Sequence, residues 1–249
     1  MTANYPTAET LAPGDFHFEI SHRFFPPVSE GYDANFGLDG PVSMRLSLGY
    51  GLTGRTMVTL GRSSLLDNLD LQVKHRLWER AAQPLPVALA INAGGAWSTE
   101  MPGIVDRGKA DVDNFQAYLQ LVANTRLLDD RVGLGLVPSY LYNSAIFAVK
   151  RQYTFTLGSY AEYRLSGAWT LWTEYSPTLA GYQGILLPGE TGRSHDSLGL
   201  GVSIETGGHF FDLFVTNNTR LNPAFYLVGA ADRIEPDNLR LAFLISRYL

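Results

Sequence analysis

The chain has 249 residues and a formal net charge of −5, so no basic surface indicates nucleic-acid binding. It contains no cysteine, which excludes disulfides, thiol catalysis and cysteine-ligated metal sites. Charged residues make up 17% of the chain, below the roughly 25% of soluble domains, and no apolar run reaches the 18 residues that a membrane-spanning helix needs.

Residues 1–14 come first and lack the basic start and apolar centre of a signal peptide. If the protein is exported, we therefore expect this chain to be the mature form with an added start Met.

Twelve segments then show alternating apolar and polar residues, the period of a β-strand with one apolar face, and the third of them is weaker. In chain order they span residues 16–24, 42–50, 55–63, 69–77, 87–93, 115–124, 132–136, 153–164, 169–175, 198–205, 210–215 and 238–249. In the last segment, for example, Leu241, Phe243 and Ile245 alternate with Ala242 and Leu244. That segment is about as long as a tilted membrane-crossing strand.

The connections between these segments alternate between long and short. The odd-numbered ones are long and span about 26–41, 64–68, 98–113, 143–151, 179–195 and 218–237. The even-numbered ones are mostly short and span about 51–54, 79–85, 127–130, 165–168 and 207–208. Bacterial outer-membrane barrels have long extracellular loops, short periplasmic turns and an even number of strands.

The pattern therefore predicts an all-β fold: a closed, antiparallel, up-and-down transmembrane β-barrel of about 12 strands. We expect one domain over residues 1–249, with 1–14 as a periplasmic segment and 15–249 as the barrel. The last strand should close the ring against the strand at 16–25, with Tyr248 near His17. A soluble barrel would carry far more charge on its polar face.

Outward aromatic residues cluster near the predicted strand ends, as in the two aromatic girdles of membrane barrels. The periplasmic candidates are Tyr50, Tyr163 and Trp169, and the outer candidates are Trp97, Tyr142, Tyr153 and Tyr175.

Three short stretches in the first quarter of the chain resemble the bacterial DUF5777 family of β-barrels. They are Glu19-Ile20-Ser21-His22-Arg23-Phe24, Tyr50-Gly51-Leu52-Thr53-Gly54-Arg55 and Leu60-Gly61-Arg62-Ser63-Ser64. The resemblance implies a barrel fold and a place in the Gram-negative envelope. It implies no catalytic residues.

The polar positions of inward parity are the predicted lumen-lining residues. They are Glu19, Arg23, Arg45, Asp70, Gln72, Lys74, Arg76, Gln116, Gln120, Glu162, Arg164, Glu174, Glu205, Asp212 and Arg240. Two interpretations stay open: these groups pair and fill the lumen, which we favour, or they line a water-filled passage. Their acidic and basic members are similar in number, so strong ion selectivity is not indicated.

Glu162 and Glu174 are expected to be near-neighbours across the hairpin at Ser166-Gly167, with Arg164 beside them. They could form an acid/base pair with split pKa values, although a wall cluster bridged by arginine is the favoured interpretation. Membrane-barrel hydrolases exist, but no motif here matches one, and we expect no enzyme. We predict no metal or cofactor, although Asp106, Asp111 and Asp113 could hold calcium weakly in a loop.

The last long connection contains an apolar stretch that is unusual for an exposed loop: Ala224, Phe225, Tyr226, Leu227 and Val228. We term it the plug loop; it could fold into the barrel, contact lipid or bind a partner. Further apolar residues have inward parity, namely Trp78, Val122, Trp172, Phe210, Phe214 and Leu244.

The leading functional hypothesis is a narrow or partly plugged outer-membrane pore for small solutes or ions. The alternative is a non-conducting barrel that anchors or binds an envelope protein, and a barrel-type hydrolase is a third hypothesis. The predicted partners are the lipid bilayer, a small solute in the lumen and an envelope protein, without nucleic acid.

Overall fold

The computed structural model describes residues 2–81, 85–100, 105–148, 150–184 and 192–249. In these ranges the chain forms a closed twelve-strand antiparallel barrel with one extra short strand. The strands are β1 Phe16–Pro27, β2 Val42–Thr53, β3 Thr56–Ser63, β4 Asn68–Arg80, β5 Val87–Ser98, β6 Phe115–Leu127, β7 Val132–Tyr142, β8 Tyr153–Arg164, β9 Trp169–Ser176, β10 Thr178–Gly181, β11 Ser197–Thr206, β12 His209–Thr216 and β13 Arg240–Tyr248.

The predicted closure of the ring is confirmed. β13 pairs antiparallel with β1 from His17 opposite Tyr248 to Arg23 opposite Ala242. The rings of His17 and Tyr248 lie 4.9 Å apart, as the strand parity predicts. In the described part of the chain, each of the twelve main strands, β1–β9 and β11–β13, therefore has a hydrogen-bonded neighbour on both sides, as a strand in lipid requires.

The extra strand arises because Pro177 divides one long strand in two. β9 pairs with β8 up to Tyr175 opposite Ser159, and β10 pairs with β8 from Thr178 opposite Thr156. Proline has no N–H to give to a ladder, but the Pro177 carbonyl still accepts from Leu157 N at 3.1 Å. β10 is thus a continuation of β9 along the same neighbour.

The wall is apolar outside and polar inside. On β2, for example, Leu46 and Leu48 are 37% and 44% exposed, whereas Arg45 and Ser47, which alternate with them, are buried. A soluble barrel has the opposite arrangement. Six of the seven predicted girdle aromatics are exposed, and Trp97 is half-buried.

One predicted lumen position is wrong. Trp78 lies outside, opposite the outward-facing Leu89, because a β-bulge shifts the β4–β5 register between Arg76 and Trp78. The extra residue of a bulge reverses the parity of everything that follows it.

Most of the remaining secondary structure lies in the long loops. The short helix α1, Pro223–Tyr226, includes part of the plug loop. Four 3₁₀ segments span Val28–Gly37, Leu65–Asp67, Val112–Asn114 and Pro236–Asn238. Among the described residues, none of the helices is long and apolar enough to cross a membrane. We term the two barrel ends the loop end and the turn end; by the loop-length rule we expect the turn end to face the periplasm.

The placement of residues 1–14 in the periplasm is corrected for most of this stretch. Residues 2–11, termed the N-terminal segment, enter the barrel from the turn end, where Thr10 Oγ1 donates to Gly54 O at 3.1 Å. Tyr5 and Ala8 are buried. The segment has no strand or helix periodicity, so its position depends on contacts that the sequence pattern does not show.

A charge on the outer wall tests the lipid-facing assignment. Leu213→Arg, in the middle of β12 and facing outward, should lower the free energy of unfolding in lipid bilayers by about 2–4 kcal/mol. Thr206→Arg, outward at the turn end of β11, is the matched control and should cost about 0–1 kcal/mol. Equal, small costs in a urea titration would contradict a lipid-facing wall.

Candidate functional site

An ion triad lies on the inner wall, contributed by β1, β2 and β4. Arg45 binds Asp70 through two bonds, Nε to Oδ2 at 3.0 Å and Nη2 to Oδ1 at 2.7 Å. Its Nη1 also lies 3.5 Å from Glu19 Oε1. Such two-bonded arginine–carboxylate geometry is the strongest form of a protein ion pair, so Arg45 is held flat against the wall.

Arg45 reaches Asp70 by crossing β3 at Gly61. Gly61 is paired with Asp70 across the β3–β4 ladder, and a Cβ at this position would overlap both the Arg45 guanidinium and the Asp70 carboxylate. The glycine is therefore needed for close approach rather than for a special backbone angle.

Amide side chains extend the triad around the wall. Gln72 donates to Asp70 at 3.0 Å, and Asn92 donates to Gln120 at 2.9 Å and to Gln72 at 3.4 Å. Gln120 in turn donates to Ser139 Oγ at 3.2 Å. The result is a continuous polar belt from β1 to β7.

Arg23 of β1 and Glu174 of β9 both face the lumen, and the N-terminal segment connects them. Arg23 Nη2 donates to Asn4 Oδ1 at 3.1 Å, and Asn4 donates to Glu174 through its backbone N–H at 3.2 Å and through its amide. The Arg23 guanidinium also lies 4.4 Å from the centre of the Phe214 ring, a cation–π contact. Asn4 thus bridges two buried opposite charges.

Wall side chains also bind the middle of the N-terminal segment. Lys74 Nζ donates to Thr7 O at 3.1 Å, and Ala8 N donates to Asn124 Oδ1 at 2.8 Å. The Tyr5 hydroxyl bonds to Ser176, and the Tyr5 ring lies on Gly158, where a Cβ would overlap it.

The plug loop fills the lumen from the loop end. All five of its residues are at most 2% exposed, and they pack with Val122, Val137, Leu141 and Ile146 in one apolar cluster. Asn222 fixes its start: its side-chain oxygen caps Phe225 N at 2.9 Å, and its amide donates to Asn68 at 3.0 Å.

The two inserted parts meet inside the barrel. The rings of Tyr5 and Tyr226 are 5.6 Å apart and nearly perpendicular, a favourable edge-to-face contact. Burial raises the pKa of both phenols above the ordinary value, so both stay neutral at physiological pH.

Polar cavities lie within the barrel in the part of the chain that the structure describes. A central cavity of about 130 Å³ is lined by His17, Glu19 and Arg45 of the wall together with Asn4 and Tyr226. A turn-end cavity of about 220 Å³ is lined by Glu9, Arg126, Glu162, Glu205 and Asp212, among others. The N-terminal segment borders both.

The predicted lumen-lining residues occupy three kinds of position. Those buried inside are Arg23, Arg45, Asp70, Gln116, Gln120, Glu162, Glu174 and Asp212. Those half-buried are Glu19, Gln72, Lys74, Arg76 and Arg240. Arg164 and Glu205 are exposed at the turn end. Arg240 lies at the loop end, where it binds Phe25 O at 2.7 Å and Asp232 at 2.8 Å.

Glu162 and Glu174 are diagonal rather than directly opposite. The β8–β9 register places Glu162 across from Trp172 and Glu174 across from Tyr160. Glu174 accepts from Asn4, whereas Arg164 is exposed at the turn end. The expectation of an Arg164-bridged cluster is therefore wrong for Glu174.

Two of the three loop carboxylates proposed as weak calcium ligands bind protein groups. Asp111 accepts from Asp113 N at 2.9 Å, and Asp113 pairs with Arg151 at 2.7 Å. Within the described ranges, no cluster of three or more His, Asp or Glu residues could hold a metal ion.

Several residues of the site do not stand out in the sequence. Asn92 has inward parity and could have been found from its strand. Other residues come together only because of the position of the N-terminal segment. They are Asn4, Thr7, which binds Lys74, and the wall residue Asn124.

Breaking the buried triad should lower the free energy of unfolding far more than breaking an exposed ion pair. Asp70→Asn leaves Arg45 with reduced neutralisation inside the wall and should lower the free energy of unfolding by about 3–5 kcal/mol. Asp113→Asn removes the half-exposed pair with Arg151 and should cost about 0–1 kcal/mol. Urea unfolding of both variants measures the difference, and similar costs would contradict a buried, ordered triad.

Solved barrel structures share the fold of this chain. The NanC porin shares the fold with a TM-score of 0.54 and 7% identity over 93% of this chain and 97% of that one. An outer membrane channel from Pseudomonas putida F1 does so with a TM-score of 0.57 and 13% identity over 100% of both chains. At such identities the likeness shows the fold alone, and the curated proteins give no match. A family model described as a membrane bound beta barrel domain matches residues 1–249, and the chain belongs to this family, DUF5777.

Proposed function

We propose that this protein is an outer-membrane channel for small polar solutes or ions, held nearly closed by the N-terminal segment and the plug loop. The observation that carries the proposal is the polar inner wall. Charged and amide groups extend from β1 to β7 and border a polar cavity in the middle of the barrel.

The energetic cost of buried charges supports a channel over a purely structural barrel. Buried ion pairs such as Arg45–Asp70 are often no more stabilising than apolar residues of the same volume. An anchor has no need of such groups, and apolar packing would hold its wall together equally well. A channel does need them, because a polar lining replaces part of the hydration of a passing solute.

The two related structures add support at the level of architecture. One is described as a porin and the other as an outer membrane channel. An outer-membrane location and a channel role are compatible with the same barrel fold in this chain.

The size and charge of the lumen indicate the solute class. The central cavity of about 130 Å³ has room for waters or a small solute and for nothing larger. Arg45 is neutralised by Asp70, and both charge signs line the turn-end cavity. We therefore expect passage of small solutes with weak ion selectivity.

A non-conducting barrel is the second candidate, and the plug loop favours it. Ala224, Phe225 and Val228 are fully buried in an apolar cluster, which is the packing of a permanent core. A hydrolase is a third proposal of lower rank; it would require hydrolysis that Glu174→Gln or His17→Ala abolishes.

Conductance in planar bilayers tests the channel proposal. The full chain should give small or infrequent openings, because both inserted parts narrow the lumen. Replacing residues 221–230 with a short Gly-Ser linker should give a steady, larger current, since the apolar cluster then lacks its centre.

A matched control is a Gly-Ser replacement of residues 128–131 at the β6–β7 turn, which lies outside the lumen and should leave the current unchanged. Silence of both the full chain and the plug-loop variant at every voltage, with folded barrels, would refute the open pore and leave the scaffold.

A further inference from the structure

The N-terminal segment is held as a bound peptide is held. It forms neither helix nor strand, and wall side chains bind its backbone. Asn124 accepts from Ala8 N, Lys74 donates to Thr7 O, and Glu174 accepts from Asn4 N. These three residues come from β6, β4 and β9, so the site spans the lumen.

The same wall also binds two side chains of the segment. Asn4 is bound by Arg23 and Glu174. Tyr5 enters a slot formed by Gly158, Ser176 and Tyr226. Polar recognition at one residue and an aromatic anchor at the next are typical of specific peptide binding.

We propose that the lumen wall is a peptide-binding site and that the N-terminal segment is its intramolecular, exchangeable ligand. The ligand class is a short, polar, unstructured peptide with adjacent amide and aromatic side chains. When the segment is bound, it lies between the turn-end cavity and the central cavity, since Glu9 lines the former and Asn4 and Tyr5 line the latter.

The manner of attachment makes this part, rather than the plug loop, the exchangeable one. The plug loop is joined to the wall at both ends and is fixed by Asn222. The N-terminal segment continues into β1 through residues 12–15, where Gly14 has φ +92° and an added Cβ would meet nothing within 4 Å. Ala3, Asn4 and Pro6 are only half-buried.

Peptide binding does not depend on the channel proposal; only its consequence for conductance does. The first test therefore measures binding directly. A variant lacking residues 2–10, in detergent micelles, is titrated against a fluorescent synthetic peptide of sequence TANYPTAET, and anisotropy is recorded. Heat-modifiable gel mobility checks that the barrel is folded.

Saturable binding to the truncated variant is expected, with about tenfold weaker binding to the full chain, whose site is occupied. Asn4→Ala or Tyr5→Ala in the peptide should weaken binding about tenfold, because each removes buried contacts. Thr10→Ala, which loses only a contact at the mouth, should bind like the parent. Equal binding to both barrels, or equal binding of all peptides, would overturn the proposal.

A second test keeps the whole chain. In Thr7→Cys, labelling by a membrane-impermeant maleimide should be slow, and adding Lys74→Met should speed it about tenfold by removing the bond to the carbonyl of residue 7. Thr10→Cys should label rapidly in both backgrounds. A Thr7→Cys rate that Lys74→Met leaves unchanged would overturn the proposal. Peptide binding that leaves a measured current unchanged would refute only the effect of the segment on conductance.

Discussion

A ring of twelve strands encloses more space than short wall side chains fill, and the rest of this structure depends on that constraint. About eight strands make an interior that side chains alone can occupy. Lipid excludes an open sheet edge, so the strand number cannot fall by leaving a gap. The chain therefore supplies additional parts to the lumen, one from each end of the barrel.

The inner wall is suited to those parts. Near the plug loop it presents Val122, Val137 and Leu141, which are buried with it. Near the N-terminal segment it presents Asn124, Lys74 and Glu174, which bind backbone groups that lack helix or strand partners. Buried backbone groups need partners, so an unstructured segment can enter the barrel only where the wall provides them.

Sequence periodicity predicts the wall well because parity directly reports which face meets lipid. It predicts the twelve-strand ring, the β1–β13 seam and the inward side of Arg45 and Asp70. It fails at Trp78, where a bulge inserts one residue, and at Pro177, where proline interrupts a ladder.

The contents of the lumen are less predictable. The apolar composition of the plug loop marks it as unusual, but composition does not choose between lumen, lipid and partner. The N-terminal segment carries no periodic signal at all. Its position is decided by single contacts from strands far apart in sequence, such as Asn4 with Glu174, 170 residues away.

The difference between the two inserted parts follows from chain entropy. Ordering a backbone costs about 1–2 kcal/mol per residue, and a typical intramolecular hydrogen bond returns a net 0.5–1.5 kcal/mol. The entropy cost of ordering the N-terminal segment therefore offsets much of what stabilises it. The stabilising contributions are a few hydrogen bonds and the burial of Tyr5, Ala8 and Leu11. The plug loop is already restrained at both ends by β12 and β13, so it has less freedom to lose and five buried residues to hold it. A lumen filled in this way has one part held by apolar packing and one part held largely by single polar contacts, which is the arrangement that the proposed exchange requires.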